Sequence, residues 1–98
     1  MSAATSAGAD AVAGRMRFLV LVLRLSAFDP AGIVPHRAFL DALRAEGRLA
    51  LAGPFGDGSG GAYLLWADDE DEARAIAHRD PLHLAGSSRI EVRAWHAA

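Results

Sequence analysis

The sequence contains no cysteine and no lysine. Without cysteine there can be no disulfide, no thiolate nucleophile and no Cys-based zinc or iron–sulfur ligation. Without lysine there is no Schiff-base amine, and all ten basic side chains are arginine, each a fixed cation with bidentate donor geometry. An excess of positive charge is missing too: twelve Asp and Glu leave a net charge of -2, and no basic cluster stands out. That balance argues against nucleic acid or an anionic lipid surface as partner. The apolar run Phe18 to Leu23 falls far short of the roughly 18 residues of a membrane span, and residues 1–14 lack a basic leader. The chain reads as a cytoplasmic protein with no membrane segment.

What is present is apolar residue in short, patterned runs. With 98 residues, 52% of them hydrophobic, the chain fits one domain over 15–98, preceded by a disordered Ala/Ser/Gly-rich tail over 1–14. Arg17 to Leu25 carries Phe-Leu-Val-Leu-Val-Leu, the signature of a strand buried on both faces. Asp29-Pro30-Ala31-Gly32 breaks that run, and a helix is predicted over about 35–46, with Pro35 in its first turn and Gly47 as its C-terminal cap. Arg48 to Ala52 and Ala62 to Trp66 flank a Gly-rich turn and read as a hairpin. The acidic run Asp68 to Glu72 suits the start of a second helix ending near His78, where carboxylates cap free N–H groups and oppose the helix dipole. Arg89 to Trp95 alternates as a strand with one wet side.

The order βαββαβ predicts an α+β, ferredoxin-like fold: a four-stranded antiparallel sheet with both helices on one face. Strand character sets the order within the sheet. The continuous apolar runs suit the first and third strands as the centre, and the alternating last strand suits an edge. Two helices cover one face only, yet the central strands are apolar on both. A second copy covering the open face, giving a homodimer, is the economical solution.

Chemistry concentrates on one pair. At helical spacing His36 shares a face with Phe39, Leu40 and Leu43, so a titratable ring points toward the core. Asp80-Pro81 places a carboxylate at the exit of the second helix, and an inward imidazole needs such a partner to fix its tautomer. His36 and Asp80 are therefore the candidate catalytic residues, base and orienter. Each has a plain structural reading as well: a core histidine bonded to backbone, and an Asp organising the turn before proline.

The remaining motifs carry less. His78, Asp80 and His83 have spacing that would suggest a metal site if His36 joined them, but a metal is not expected, since no regular helix puts both histidines on one side and no second carboxylate is evident. No cofactor is implied. Asp57 to Gly61 has the look of a phosphate cradle but lacks a following helix N-terminus and a lysine, so a hairpin turn is the better account. The acidic run lacks the ligand spacing of a calcium loop. Tyr63 and Trp66 read as core or dimer-interface residues, because the strand that carries them has no basic–aromatic signature of RNA-binding sheets. His96, near the terminus, reads as exposed.

Taken in order, the segments His36-Arg37-Ala38-Phe39-Leu40, Glu46-Gly47-Arg48-Leu49, Ala52-Gly53-Pro54-Phe55-Gly56-Asp57-Gly58, Asp80-Pro81-Leu82 and a last strand ending at Trp95 resemble the YCII-related (YciI-like) family. The resemblance runs from about Arg17 to Trp95. It implies a dimeric α/β-barrel of ferredoxin-like subunits and a His–Asp site carried over to His36 and Asp80. Relatives acting on muconolactone-type or chlorinated lactones imply isomerisation or elimination. The chain departs from the family where Ile33-Val34-Pro35 replaces an arginine before the histidine, putting an anion contact in doubt, and where Leu82 replaces phenylalanine.

Two functions fit. One is a small cofactor-independent lyase, isomerase or dehalogenase-like enzyme acting on a carbonyl or lactone metabolite. There His36 removes a proton, Asp80 orients the ring, and Gly53, Pro54, Phe55 and Gly56 bind substrate, their backbone a candidate oxyanion donor. The other is a non-catalytic ligand-binding or dimerisation module in which the pair is a buried hydrogen bond.

Overall fold

Strand β1 (Met16–Arg24) alternates between two apolar sets: Phe18, Val20 and Val22 are buried, while Leu19, Leu21 and Leu23 between them are half-buried. In the computed structural model, which describes residues 15–97, this strand lies beside β3 (Gly60–Ala67) in the middle of a four-stranded antiparallel sheet. The sheet order is β2-β3-β1-β4, with β2 (Leu49–Pro54) and β4 (Ser88–Ala94) at the edges. The continuous apolar runs thus occupy the centre and the alternating strand an edge, as their patterns require. The tail assigned to 1–14 lies outside the described residues.

The register gathers one core. Phe18 pairs with Leu65, Val20 with Tyr63 and Val92, and Val22 with Gly61 and Ile90, so these residues share the face that the helices cover. The opposite face carries Leu19, Leu21 and Leu23 on β1. On β4 it carries Arg89, Glu91 and Arg93, where Glu91 pairs with Arg89 at 2.8 Å and with Arg93 at 3.5 Å.

Helix α1 (Ile33–Ala45) follows a single 3-10 turn, Pro30–Gly32, capped by the Asp29 side chain. It begins two residues before the predicted start, because that turn leads directly into the helix. At its far end Gly47 takes φ 76°, its N–H donates to Arg44 O, and Arg48 N–H donates to Leu43 O. That is the left-handed termination glycine favours. Helix α2 (Glu70–Ala77) starts on a reciprocal cap. The Asp69 carboxylate accepts from Glu72 N–H (2.8 Å), and the Glu72 carboxylate accepts from Asp68 N–H (2.8 Å). The Asp68 N–H and, less strongly, Arg48 hold the Glu72 carboxyl below its ordinary range.

A third helix, α3 (Pro81–Leu84), has no counterpart in the predicted order. At four residues it is too short for periodicity to show, although it opens with Asp then Pro and closes on Gly86 at φ 70°. Asp80 is therefore the N-cap of an extra turn of helix rather than a simple exit from α2. Among the described residues no helix is long and apolar enough to cross a membrane.

Candidate functional site

His36 sits in the first turn of α1 and Asp80 caps α3, 44 positions later. Asp80 is extended, φ -58° and ψ 127°, as a residue before proline must be, and this turns its carboxylate back toward Leu82 N–H at 2.9 Å. The carboxylate is fully buried. Its second donor is the imidazole: His36 Nδ1 lies 2.9 Å from Oδ1 and 2.8 Å from Oδ2. A carboxylate can only accept, so the geometry places a proton on Nδ1 and leaves the Nε2 lone pair free in the neutral ring. Nε2 has no hydrogen-bond partner among the described residues.

The ring, 16% exposed, lines a cavity of about 280 Å³ between the N-terminal half of α1 and the end of the sheet where β1 stops and β3 begins. Much of the opposite wall is bare backbone. A Cβ on Gly60 would stand 1.9 Å from Val22 O, and one on Gly61 2.6 Å from Gly53 O, so side chains are excluded where the strands approach. Gly53 and Pro54 line the same cavity; Phe55 and Gly56 lie beyond it, in the turn. Phe55 N–H donates to Gly60 O at 2.8 Å and is committed to closing the hairpin, so it is not free for an oxyanion. The Asp57 carboxylate accepts from Ser59 N–H at 2.9 Å, and the Ser59 side chain first and this N–H second hold its carboxyl below the ordinary range.

Four polar side chains of the lining escaped the sequence reading. Tyr63 and Ser88 are each 2% exposed, and their buried hydroxyls have no partner. Tyr63 packs edge-on against Phe39 on the helix-covered face of the sheet, so it is core and cavity wall at once. Burial, with a smaller contribution from the Asp80 charge, pushes its phenol above the ordinary value and keeps it a neutral donor. Arg24 and Arg37 complete the rim. The sequence hint was available for Arg37 alone, adjacent to His36; the others depend on pairing between distant strands.

His78 and His83 do meet, contrary to the expectation from a regular helix. Their rings stack with centroids 4.6 Å apart, because the chain breaks between α2 and α3. Among the described residues no cluster of three or more metal-ligating side chains forms. His96 is exposed.

Known proteins share this arrangement of elements. A dehydrochlorinase of 5-chloro-2-hydroxyhydroquinone from Burkholderia phenoliruptrix AC1100, TftG, solved with 2,5-dihydroxybenzoquinone, superposes with TM-score 0.65 at 22% identity, covering 85% of this chain and 96% of that one. A dimeric protein of unknown function and ferredoxin-like fold from Bacteroides fragilis NCTC 9343 superposes with TM-score 0.51 at 14% identity, covering 84% and 95%. In sequence, the uncharacterized protein YjpA of Bacillus subtilis (strain 168) is 44% identical over 78 residues, which is 80% of this chain and 92% of that protein. The YCII-related domain model matches residues 16–96, from the start of β1 to just past β4, and with that extent of agreement the chain belongs to the YCII-related family.

Proposed function

We propose that the protein is a small cofactor-independent acid/base enzyme in which His36 moves a proton next to a carbonyl of a small carbonyl or lactone compound. The observation that carries this reading is the seating of Nδ1 against both oxygens of the buried Asp80 carboxylate, at 2.9 and 2.8 Å, with the ring on the wall of a cavity. A base needs its lone pair on the substrate side and a fixed orientation, and Asp80 supplies the second by holding the proton on Nδ1. The carboxylate also stabilises the imidazolium once Nε2 has taken a proton. Return of that proton at another carbon is isomerisation; departure of a leaving group instead is elimination, the type of reaction in the name of the dehydrochlorinase relative. Gly53 and Pro54 furnish the wall against which the substrate lies, while Phe55 and Gly56, in the turn beyond it, have no part in binding.

The test needs no knowledge of the natural substrate. In D2O, the protons next to the carbonyl of levulinate and of a small butenolide should exchange faster with the protein than without it, followed by ¹H NMR. His36→Asn should lose that acceleration while keeping its fold. Exchange at the native rate in the variant would end the catalytic reading. The non-catalytic ligand-binding or dimerisation module, in which the His36–Asp80 pair is a buried structural hydrogen bond, would then remain.

The open face of the sheet supports a homodimer. Leu19, Leu21 and Leu23 stand half-buried there and Leu51, at the β2 edge, is 69% exposed, a patch that a second copy would cover. The Bacteroides fragilis relative is described as dimeric. Sedimentation equilibrium at micromolar protein should give twice the chain mass, 10.3 kDa, and a monomer would remove this part of the proposal.

A further inference from the structure

The charge on the cavity wall has one sign. Arg24 and Arg37 line it with His36, and among the described residues no carboxylate does; that of Asp80 is fully buried and bonded to the far side of the His36 ring. Neither guanidinium is paired with a carboxylate among the described residues, whereas those of Arg44, Arg48, Arg74, Arg89 and Arg93 are. Arg24 is held in place from the side, its guanidinium 4.1 Å above the Phe28 ring, and it stands opposite Ser88 in the β1–β4 register. Two unpaired arginines at the mouth of a small cavity are a receptor for a planar anion, because each can make a two-point contact with a carboxylate.

Deeper in the same cavity the polar groups are of a different kind. The hydroxyls of Tyr63 and Ser88 are buried and unpartnered. Buried polar groups are nearly always hydrogen-bonded, and those left open in a native fold call for an explanation. Here both belong to residues that line the cavity containing the candidate base, so a ligand oxygen is the partner they lack. The phenol is a neutral donor in an apolar wall, suited to a carbonyl oxygen on which negative charge develops.

Resting on the acid/base reading above, we infer that the substrate is a small keto or lactone carboxylate, its carboxylate held by Arg24 and Arg37 and its carbonyl oxygen accepting from Tyr63. His36 Nε2 takes the proton from the carbon next to that carbonyl: the C–H bond breaks, an N–H bond forms, and the electron pair passes to the carbonyl oxygen as an enolate, which Tyr63 O–H stabilises. The cavity, about 280 Å³, lies near the lower limit of ligand pockets, roughly 300 Å³, and so suits a short-chain or single-ring acid.

Calorimetry and ¹H–¹⁵N shift mapping with three probes separate these roles. Levulinate carries both groups, levulinamide lacks the anion, and pentanoate lacks the ketone. Levulinate should bind at the β1 end of the cavity about tenfold or more tighter than levulinamide. The double variant Arg24→Gln/Arg37→Gln should abolish that preference. Tyr63→Phe should weaken levulinate severalfold and leave pentanoate unchanged. Equal binding of acid and amide, or no saturation by levulinate up to about 10 mM, overturns the anionic class. An unchanged levulinate affinity in Tyr63→Phe overturns the role of the phenol. Proton exchange that depends on His36 would survive either failure, and these affinities would survive the loss of that exchange, so the two claims fall separately.

Discussion

The two crossover helices sit on the same sheet in different ways. Helix α2 presents Ala73, Ile76 and Ala77, all buried, so small side chains bring it flush against the strands. Helix α1 buries only Leu43, near its C-terminal end, while Phe39 and Leu40 are partly buried and the first turn stands away from the sheet. The gap under that first turn is the cavity. His36 projects into its wall from the loosely seated helix, and the segment after α2 supplies Asp80, which is fully buried and caps α3. The base thus sits where ligand can reach it, and its orienter sits buried and bonded on two sides. That division suits a site in which only one partner should contact solvent and substrate.

Several changes would break or sharpen this contrast. The largest effect is expected at the joint between the halves. Asp80→Asn replaces an obligate acceptor by an amide that can donate to Nδ1, which would reverse the tautomer and remove the lone pair from Nε2. Catalysed exchange of levulinate should fall by roughly 10²-fold or more, measured by ¹H NMR in D2O. Next, Leu43→Ala removes the buried anchor of α1 and should cost about 2–5 kcal/mol in urea melts.

On the tight side, Ala77→Leu forces a larger side chain into a fully buried position and should cost roughly 1–3 kcal/mol by the same melts. Its counterpart on the loose side should cost almost nothing. A Cβ added at Gly53 meets no atom within 4 Å, so Gly53→Ala should leave stability within about 0.5 kcal/mol. A cost at Gly53 equal to that at Ala77 would show that the first half is not the looser one.

The smallest effect concerns acid. The Glu72 carboxyl lies below its ordinary value near 4.5 in the fold, through Asp68 N–H first and Arg48 after it. A depressed carboxyl pKa stabilises the fold above the unfolded value, and that contribution is lost as pH falls through the folded value, below about 4.5. Glu72→Gln should therefore flatten the acid limb of a stability–pH profile between neutral pH and 3, and leave the alkaline side unchanged.

Much of this contrast was legible in the sequence, for reasons that can be named. The paired apolar sets of β1 and the run Tyr63-Leu64-Leu65 mark central strands, because only a strand covered on both sides can be apolar on both. His36 among Phe39, Leu40 and Leu43 marks an inward ring by helical periodicity alone, and Asp80 before a proline marks a fixed carboxylate. What periodicity could not supply was anything resting on contacts between distant segments. Tyr63 reads as core because its neighbours do; only the register with β1 and the packing of α1 show that its hydroxyl faces an unfilled space. Arg24 and Ser88 come together across a strand pair set by the whole sheet. Helix α3 was missed because four residues carry no period, and with it the stacking of His78 on His83. Its boundary signals, Asp80-Pro81 and Gly86, were legible and were read as a turn.

The most direct test of the account is the protonation state of the His36 ring, read from long-range ¹H–¹⁵N correlations in the native protein and in Asp80→Asn at a pH where the ring is neutral. A proton on Nδ1 and a bare Nε2 are expected in the native protein, and the reverse in the variant. A native ring protonated on Nε2 would contradict it, because the nitrogen facing the cavity would then have no lone pair with which to take a proton.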